Sequence, residues 1–256
     1  MSEQLIFQSL LSAKRDWAVM PIQNGHCIPG AEKTIQKALE ARHLELPVGQ
    51  WIKECASRER KWLSDYGILL LASNFKDEKK HDSQLNYAYS NISLANLTDK
   101  LQIESESRSL VSKWLKMGEK YHPVLVTWVI EQSIFFPVLT LYRRLGGTQL
   151  AMVSTEISRD ETIHARTNGT IVKLLGLSIP SDLDDLRQET IEWLVLDLDD
   201  SGIEDKYGQS QNYIDQSFQL LHQGSYAKFK DTSFAVMPGF FETHRSHLPK
   251  YGRFQS

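Results

Sequence analysis

Four glutamate–histidine pairs in this chain stand three residues apart: Glu40/His43, Glu78/His81, Glu119/His122 and Glu161/His164. On a helix that spacing projects both side chains from one face, about one turn apart, so that a carboxylate and an imidazole can reach the same metal ion. Chance alone produces such pairs, and the spacing by itself is weak. Two of the four are set apart by their neighbours, since only Glu78 and Glu161 follow an aspartate, in Asp77-Glu78-Lys79-Lys80-His81 and Asp160-Glu161-Thr162-Ile163-His164. Both lie in long stretches free of helix breakers, so half of a metal site is legible twice.

A third component is Glu131, which sits in Trp128-Val129-Ile130-Glu131-Gln132-Ser133-Ile134-Phe135-Phe136. An ionised carboxylate among such side chains needs a cation or hydrogen-bond donors to meet it. The plain alternative is a polar stripe on a buried helix, with Glu131 paired to Arg143 or Arg159. A fourth carboxylate is expected on the helix before Glu78. Glu40, Glu45 and Glu54 all qualify by distance, and Glu45 is preferred because a turn near residues 58 to 62 brings it level with Glu78. A ligating imidazole usually gives its second N–H to a carboxylate. Asp77 and Asp160 are therefore each placed to orient the histidine of the other motif, against the plainer reading of a solvent-facing aspartate. The pairs Glu40/His43 and Glu119/His122 read as solvated surface, and His222, His244 and His247 as surface or capping residues.

These side chains need long helices to position them. A first helix is expected over residues 3 to 15, then a loop through Pro21, Gly25, Pro29 and Gly30. Helical periodicity resumes at Ala31 until Pro47 and Gly49 kink or end it. A long central helix covers about 58 to 96 and carries Glu78 and His81. A shorter one spans 100 to 117 and stops at Gly118, and an apolar helix runs from Pro123 to Arg144. Gly146 and Gly147 then make a tight turn into a helix over 148 to 175. Glu131 lies 15 residues before Gly146 and Glu161 lies 14 after Gly147, so the two carboxylates stand at matching depth on antiparallel neighbours. Further helices are expected from Pro180 to about Gly202 and from 208 to 222, with an irregular tail over 231 to 256.

Composition agrees with an all-α domain spanning residues 1–256. Fourteen glycines and eight prolines are too few for a turn-rich β architecture, and a net charge of −3 with scattered Lys and Arg marks no surface for nucleic acid. The two cysteines, Cys27 and Cys55, have neither metal-ligand spacing nor the density of a disulfide scaffold. The N-terminus shows no signal pattern, and a cytoplasmic location is expected. The most apolar stretch, Val124 to Tyr142, is interrupted by Glu131 and Gln132 and carries Pro137, so it is read as a buried core helix that falls short of a membrane span.

With Glu131-x-x-x-Phe135-Phe136, Ile157-Ser158-Arg159-Asp160-Glu161-x-x-His164 and Asp77-Glu78-x-x-His81, the chain resembles the ribonucleotide reductase small-subunit-like branch of the ferritin superfamily. That branch also holds the soluble acyl-carrier-protein desaturases and the hydroxylase subunits of bacterial multicomponent monooxygenases. The likeness is strongest from 128 to 176, and its carboxylate pattern covers about 31 to 176.

The resemblance implies a ferritin-like four-helix bundle with additional helices, and a cofactor of two iron ions, as Fe/Fe or Mn/Fe. The ligands would be Glu45, Glu78, His81, Glu131, Glu161 and His164. Trp17 would match a tryptophan near the metals in the reductase subunits. The charges of such a site balance, four carboxylates against two divalent ions. The expected activity is that of an O2-activating oxidoreductase, served by an electron donor, acting on a small apolar or acyl-type substrate in a pocket lined by Leu85, Trp128, Phe135 and Leu139. A homodimer is expected. Two other readings stand beside it: a radical-generating reductase subunit without its tyrosine, because Leu85 occupies the position one turn after His81 where that residue is commonly found, and a ferritin-like iron-handling protein.

Overall fold

The structure is a computed structural model, and it describes residues 3–22, 25–92 and 97–222. Every regular element among them is helical, and the single extended pairing is an isolated bridge between Gly25 and Ile92. The helices in chain order are α1 (Glu3–Ser12), α2 (Glu32–Glu40), α3 (Glu45–Arg58), α4 (Asp65–Asn91), α5 (Leu97–Lys120), α6 (Pro123–Ile130), α7 (Phe136–Leu145), α8 (Gly147–Leu174), α9 (Ser181–Val195) and α10 (Ser210–His222). The histidines at 244 and 247 and the expected irregular tail lie outside the described residues.

Local chemistry explains the boundaries. Pro47 has no N–H for the carbonyl four residues back, and the chain tightens into a 3₁₀ turn over Ala41–Leu44 just before it, joining α2 to α3. Gly49 continues inside α3, where an added Cβ would come 3.0 Å from the Cβ of Glu78, so the glycine permits a close approach to α4. The α4 helix opens at Asp65 under a cap by Ser64, whose hydroxyl accepts from the Gly67 N–H. It therefore spans 65–91 and not 58–96; residues 59 to 64 are the turn, and Trp62 belongs to that turn. Pro123 takes the first position of α6 behind the His122 side chain, whose Nδ1 accepts from Val124 N.

Four other expectations are corrected. The first helix ends at Ser12, and α9 ends at Val195, short of Gly202. Gly118 does not stop α5, which runs on to Lys120. A Cβ at Gly118 would lie 2.4 Å from the Trp51 ring, so the glycine makes room on α5 for that side chain. Finally, the apolar stretch is one uninterrupted helical run through Glu131 and Pro137. By length and composition Pro123–Leu145 could cross a membrane, although 94% of its most apolar window is buried inside the fold.

Helices α3, α4, α6–α7 and α8 pack on one another in a ring, α3 on α4, α4 on α8, α8 on α6 and α7, and α6 back on α3. Helix α1 lies against α4 and α8, α2 against α5 and α7, while α9 and α10 cover the junction of α6 and α7. The apolar core runs from Phe7 through Leu70, Ile130 and Val153 to Leu221. Its polar interior is concentrated where the four ring helices face each other.

Candidate metal centre

Each wall of the ring supplies one glutamate to that interior. Glu45 lies thirteen residues before the end of α3 and Glu78 thirteen after the start of α4, so the turn at 59–64 levels them. Across the ring, the positive φ of Gly147, 71°, lets the chain reverse between α7 and α8 and sets Glu131 beside Glu161. Glu131 opens a π turn, Glu131–Phe135, between α6 and α7. Such turns insert a residue into a helix and often mark functional positions.

Glu45, Glu78, His81, Glu131, Glu161 and His164 converge here, and each has 3% of its surface or less exposed. Their donor atoms form two groups in which every atom lies within 4.8 Å of the others, one of Glu45, Glu78, His81 and Glu161, the second of Glu78, Glu131, Glu161 and His164. Glu78 and Glu161 belong to both. Of the three carboxylates considered for the first position, Glu45 enters the cluster. Glu54 is exposed, and Glu40, though buried, faces Arg42 Nη1 and His43 Nε2, each at 3.2 Å. The reading of Glu40/His43 as solvated surface is thus corrected for Glu40. His122 is half-buried and stands 3.0 Å from Glu59, and His222 pairs with Asp184 at the surface.

The imidazoles show their orientation through their partners. Nδ1 of His81 faces Glu161 at 3.1 Å and Glu45 at 3.5 Å, while Nε2 stands 3.2 Å from Asp160. Nδ1 of His164 faces Glu78 at 2.7 Å and Glu131 at 3.8 Å, with Nε2 3.2 Å from Asp77. The pairing of aspartate and histidine is crossed between the two motifs. The indole N–H of Trp17 donates to Asp160 (2.7 Å), and its ring stacks on His81 with centroids 6.1 Å apart. Asn168 donates to Glu131 at 2.7 Å, and Arg159 pairs with Glu156.

Within these six side chains the atoms left without a hydrogen-bond partner are the inward ones: both carboxylate oxygens of Glu78 and Glu161, one oxygen each of Glu45 and Glu131, and Nδ1 of both histidines. Buried polar atoms are ordinarily paired. Eight orphans from six side chains turned on one spot fit a bound cation, and the donor set of oxygens with two imidazoles suits first-row divalent metals.

Electrostatics agree. Burial, then the charges of Glu161 and Glu45, hold Glu78 well above the ordinary carboxylate range. Burial and Glu161 do the same to Glu131 against the Asn168 hydrogen bond, and burial raises Glu161 despite the pull of His81. For His81, burial opposes the charge but is outweighed by Asp160, Glu161 and Glu45, which raise it well above its usual value. His164 is brought down to about 4 by burial and by the Lys14 cation. Without a cation, these carboxylates repel one another in a medium that cannot screen them.

A small cavity of about 10 Å³ adjoins Glu45, walled by Leu85, Phe135, Leu139 and Tyr142. Three of the four expected pocket residues are thus together. Trp128 is not among them, because its indole packs over Gly169, whose absent Cβ would lie 2.9 Å from Nε1.

Sequence reading passed over four residues here. Tyr142 continues the Glu131, Phe135, Leu139 stripe at helical spacing, and Asn168 stands one turn after His164, so both were discoverable. Lys14, which reaches Asp77 from an irregular segment, and Arg42, beside Glu45 in the cavity wall, carried no such signal.

Comparison with protein-family models, curated proteins and solved structures returned no match.

Proposed function

We propose that this chain is a ferritin-like oxidoreductase that holds two iron ions, or one manganese and one iron, and uses them with O2. The observation that carries the reading is the division of six buried donors into two sets sharing Glu78 and Glu161. Glu45 with His81 would help hold one ion and Glu131 with His164 the other, Glu78 and Glu161 being common to both sets. Four carboxylates offset two divalent charges, which makes the cluster tolerable in a low-dielectric core. The ions would supply the redox chemistry with O2. The protein's part is to fix the imidazoles through Asp77 and Asp160, to exclude bulk water, and to leave a space beside Glu45. Anaerobic loading with Fe(II) followed by O2 tests this: uptake that saturates with the bound pair is expected, and metal-loaded protein that consumes no O2 would overturn it.

The size of that space bears on what is oxidised. A cavity of about 10 Å³ is at the limit for a single water, far short of an acyl chain. This favours the reading in which the oxidising equivalent leaves the cluster, as in a radical-generating subunit for a nucleotide reductase, over oxidation of a substrate seated at the metals. Screening for an oxygenated small-molecule product, against activation of a partner subunit, separates the two. Mineralisation of many irons per chain would instead favour iron handling.

A further inference from the structure

The segment after α1 lays two unlike side chains on the two flanks of the cluster. On the His164 flank, Lys14 Nζ donates to Asp77 and to Asn74 Oδ1 (3.0 Å) and lies 3.3 Å from Nε2 of His164. Lys80 pairs with Asp16 at 2.7 Å and lies between the flanks, 4.0 Å from the other oxygen of Asp77 and 5.1 Å from the centroid of the Trp17 ring, so the asymmetry rests on Lys14. On the His81 flank the corresponding place is taken by the neutral indole of Trp17, hydrogen-bonded to Asp160. Asp77 therefore shares its charge with the Lys14 ammonium, whereas Asp160 directs its own at His81.

A carboxylate behind a ligating histidine makes the imidazole a stronger donor, and such outer partners change metal affinity by about 10–100-fold. A cation in that position subtracts from the donor and repels the ion directly. The amide of Asn168 on Glu131 Oε2 draws on the same half of the cluster.

Building on the two-ion reading, we infer that Lys14 makes the two positions unequal, so that the Glu45–His81 half fills first and the Glu131–His164 half binds its ion more weakly. Lys14 is a positioning residue in this scheme, acting through Asp77 and His164 and touching no ion. Its effect is on loading order and on the gap between two binding constants.

The test uses the full chain and Mn(II) alone, without O2. Crystals grown with one equivalent should show anomalous density between Glu45 and His81, and calorimetric titration should resolve a tight and a weaker step. In Lys14→Met the weaker step should tighten by about 10-fold with the first unchanged, while Lys14→Arg, which keeps the charge, should retain the wild-type pattern. Density at one equivalent between Glu131 and His164, or equally in both halves, would overturn the inference, as would a Lys14→Met titration that matches wild type or tightens both steps alike. In those cases the two-ion reading still stands. A wild-type protein that takes up no Mn(II) removes both. The crystal measurement needs no variant, so it decides the matter even if Lys14→Met does not fold.

Discussion

Glu131 shows how a single residue can reveal a site. This carboxylate lies on an almost wholly buried helical run, with one oxygen on Asn168 and the other without a hydrogen-bond partner, 3.8 Å from the His164 imidazole. Glu131→Ala should therefore weaken one of the two ions by about 10–100-fold or more and leave the other bound. Metal analysis after gel filtration checks this, and undiminished binding of both would make Glu131 a structural residue. Tyr142 carries a second prediction. It is the phenol in the cavity wall, and its hydroxyl donates to the Ala38 carbonyl at 2.7 Å, a group unable to take up a proton. With Leu85 in the position one turn past His81, ferrous protein exposed to O2 should show no long-lived tyrosyl radical by electron paramagnetic resonance. A stable stoichiometric signal would contradict this and move the assignment to a tyrosine-bearing reductase subunit. The motif residues were legible because each follows a helical period. Lys14 was not, since its reach to Asp77 depends on how an irregular segment folds across α4 and α8.

At the scale of elements, the sequence told more about registers than about ends. Equal spacing of Glu131 and Glu161 from the Gly146–Gly147 turn, and of Glu45 and Glu78 from the turn at 59–64, follows from the 1.5 Å rise of a helix and needs no tertiary knowledge. The ends were harder. Gly118 and Pro47 read as breakers, yet α5 passes through the first and the 3₁₀ turn absorbs the second, because packing against Trp51 and continuity of α2 with α3 outweigh local propensity. Gly118→Ala places a methyl group into the Trp51 ring. A loss of about 1–3 kcal/mol is expected, seen as a fall in Tm of several degrees, and an unchanged Tm would mean that the Trp51 ring does not lie against Gly118.

For the whole molecule, the cluster links stability to pH and to metal. Glu78, Glu131, Glu161 and His81 hold protons more tightly in the folded, metal-free chain than in the unfolded one. Their contribution is complete below the ordinary values, 4.5 for the glutamates and 6.5 for His81, and drains away as pH rises through the folded values. His164, brought down to about 4, contributes in the opposite sense and loses its share as pH falls from 6.5. Asp77 and Asp160, held low against burial by the facing histidines, act in the same sense as His164, and all three have given their full share by pH 6.5, so toward alkaline pH the four raised groups make the metal-free protein less stable, while ions, which need deprotonated donors, bind better there. The difference in Tm between metal-loaded and metal-free protein should widen from mildly acidic to mildly alkaline pH, and a constant difference would deny the coupling. The central claim, that six buried side chains hold a pair of ions, is tested most directly by metal analysis of aerobically purified protein together with anomalous diffraction. About two ions of iron or manganese per chain, held among Glu45, Glu78, His81, Glu131, Glu161 and His164, are expected. Folded protein that stays free of metal when iron and manganese are supplied would contradict it.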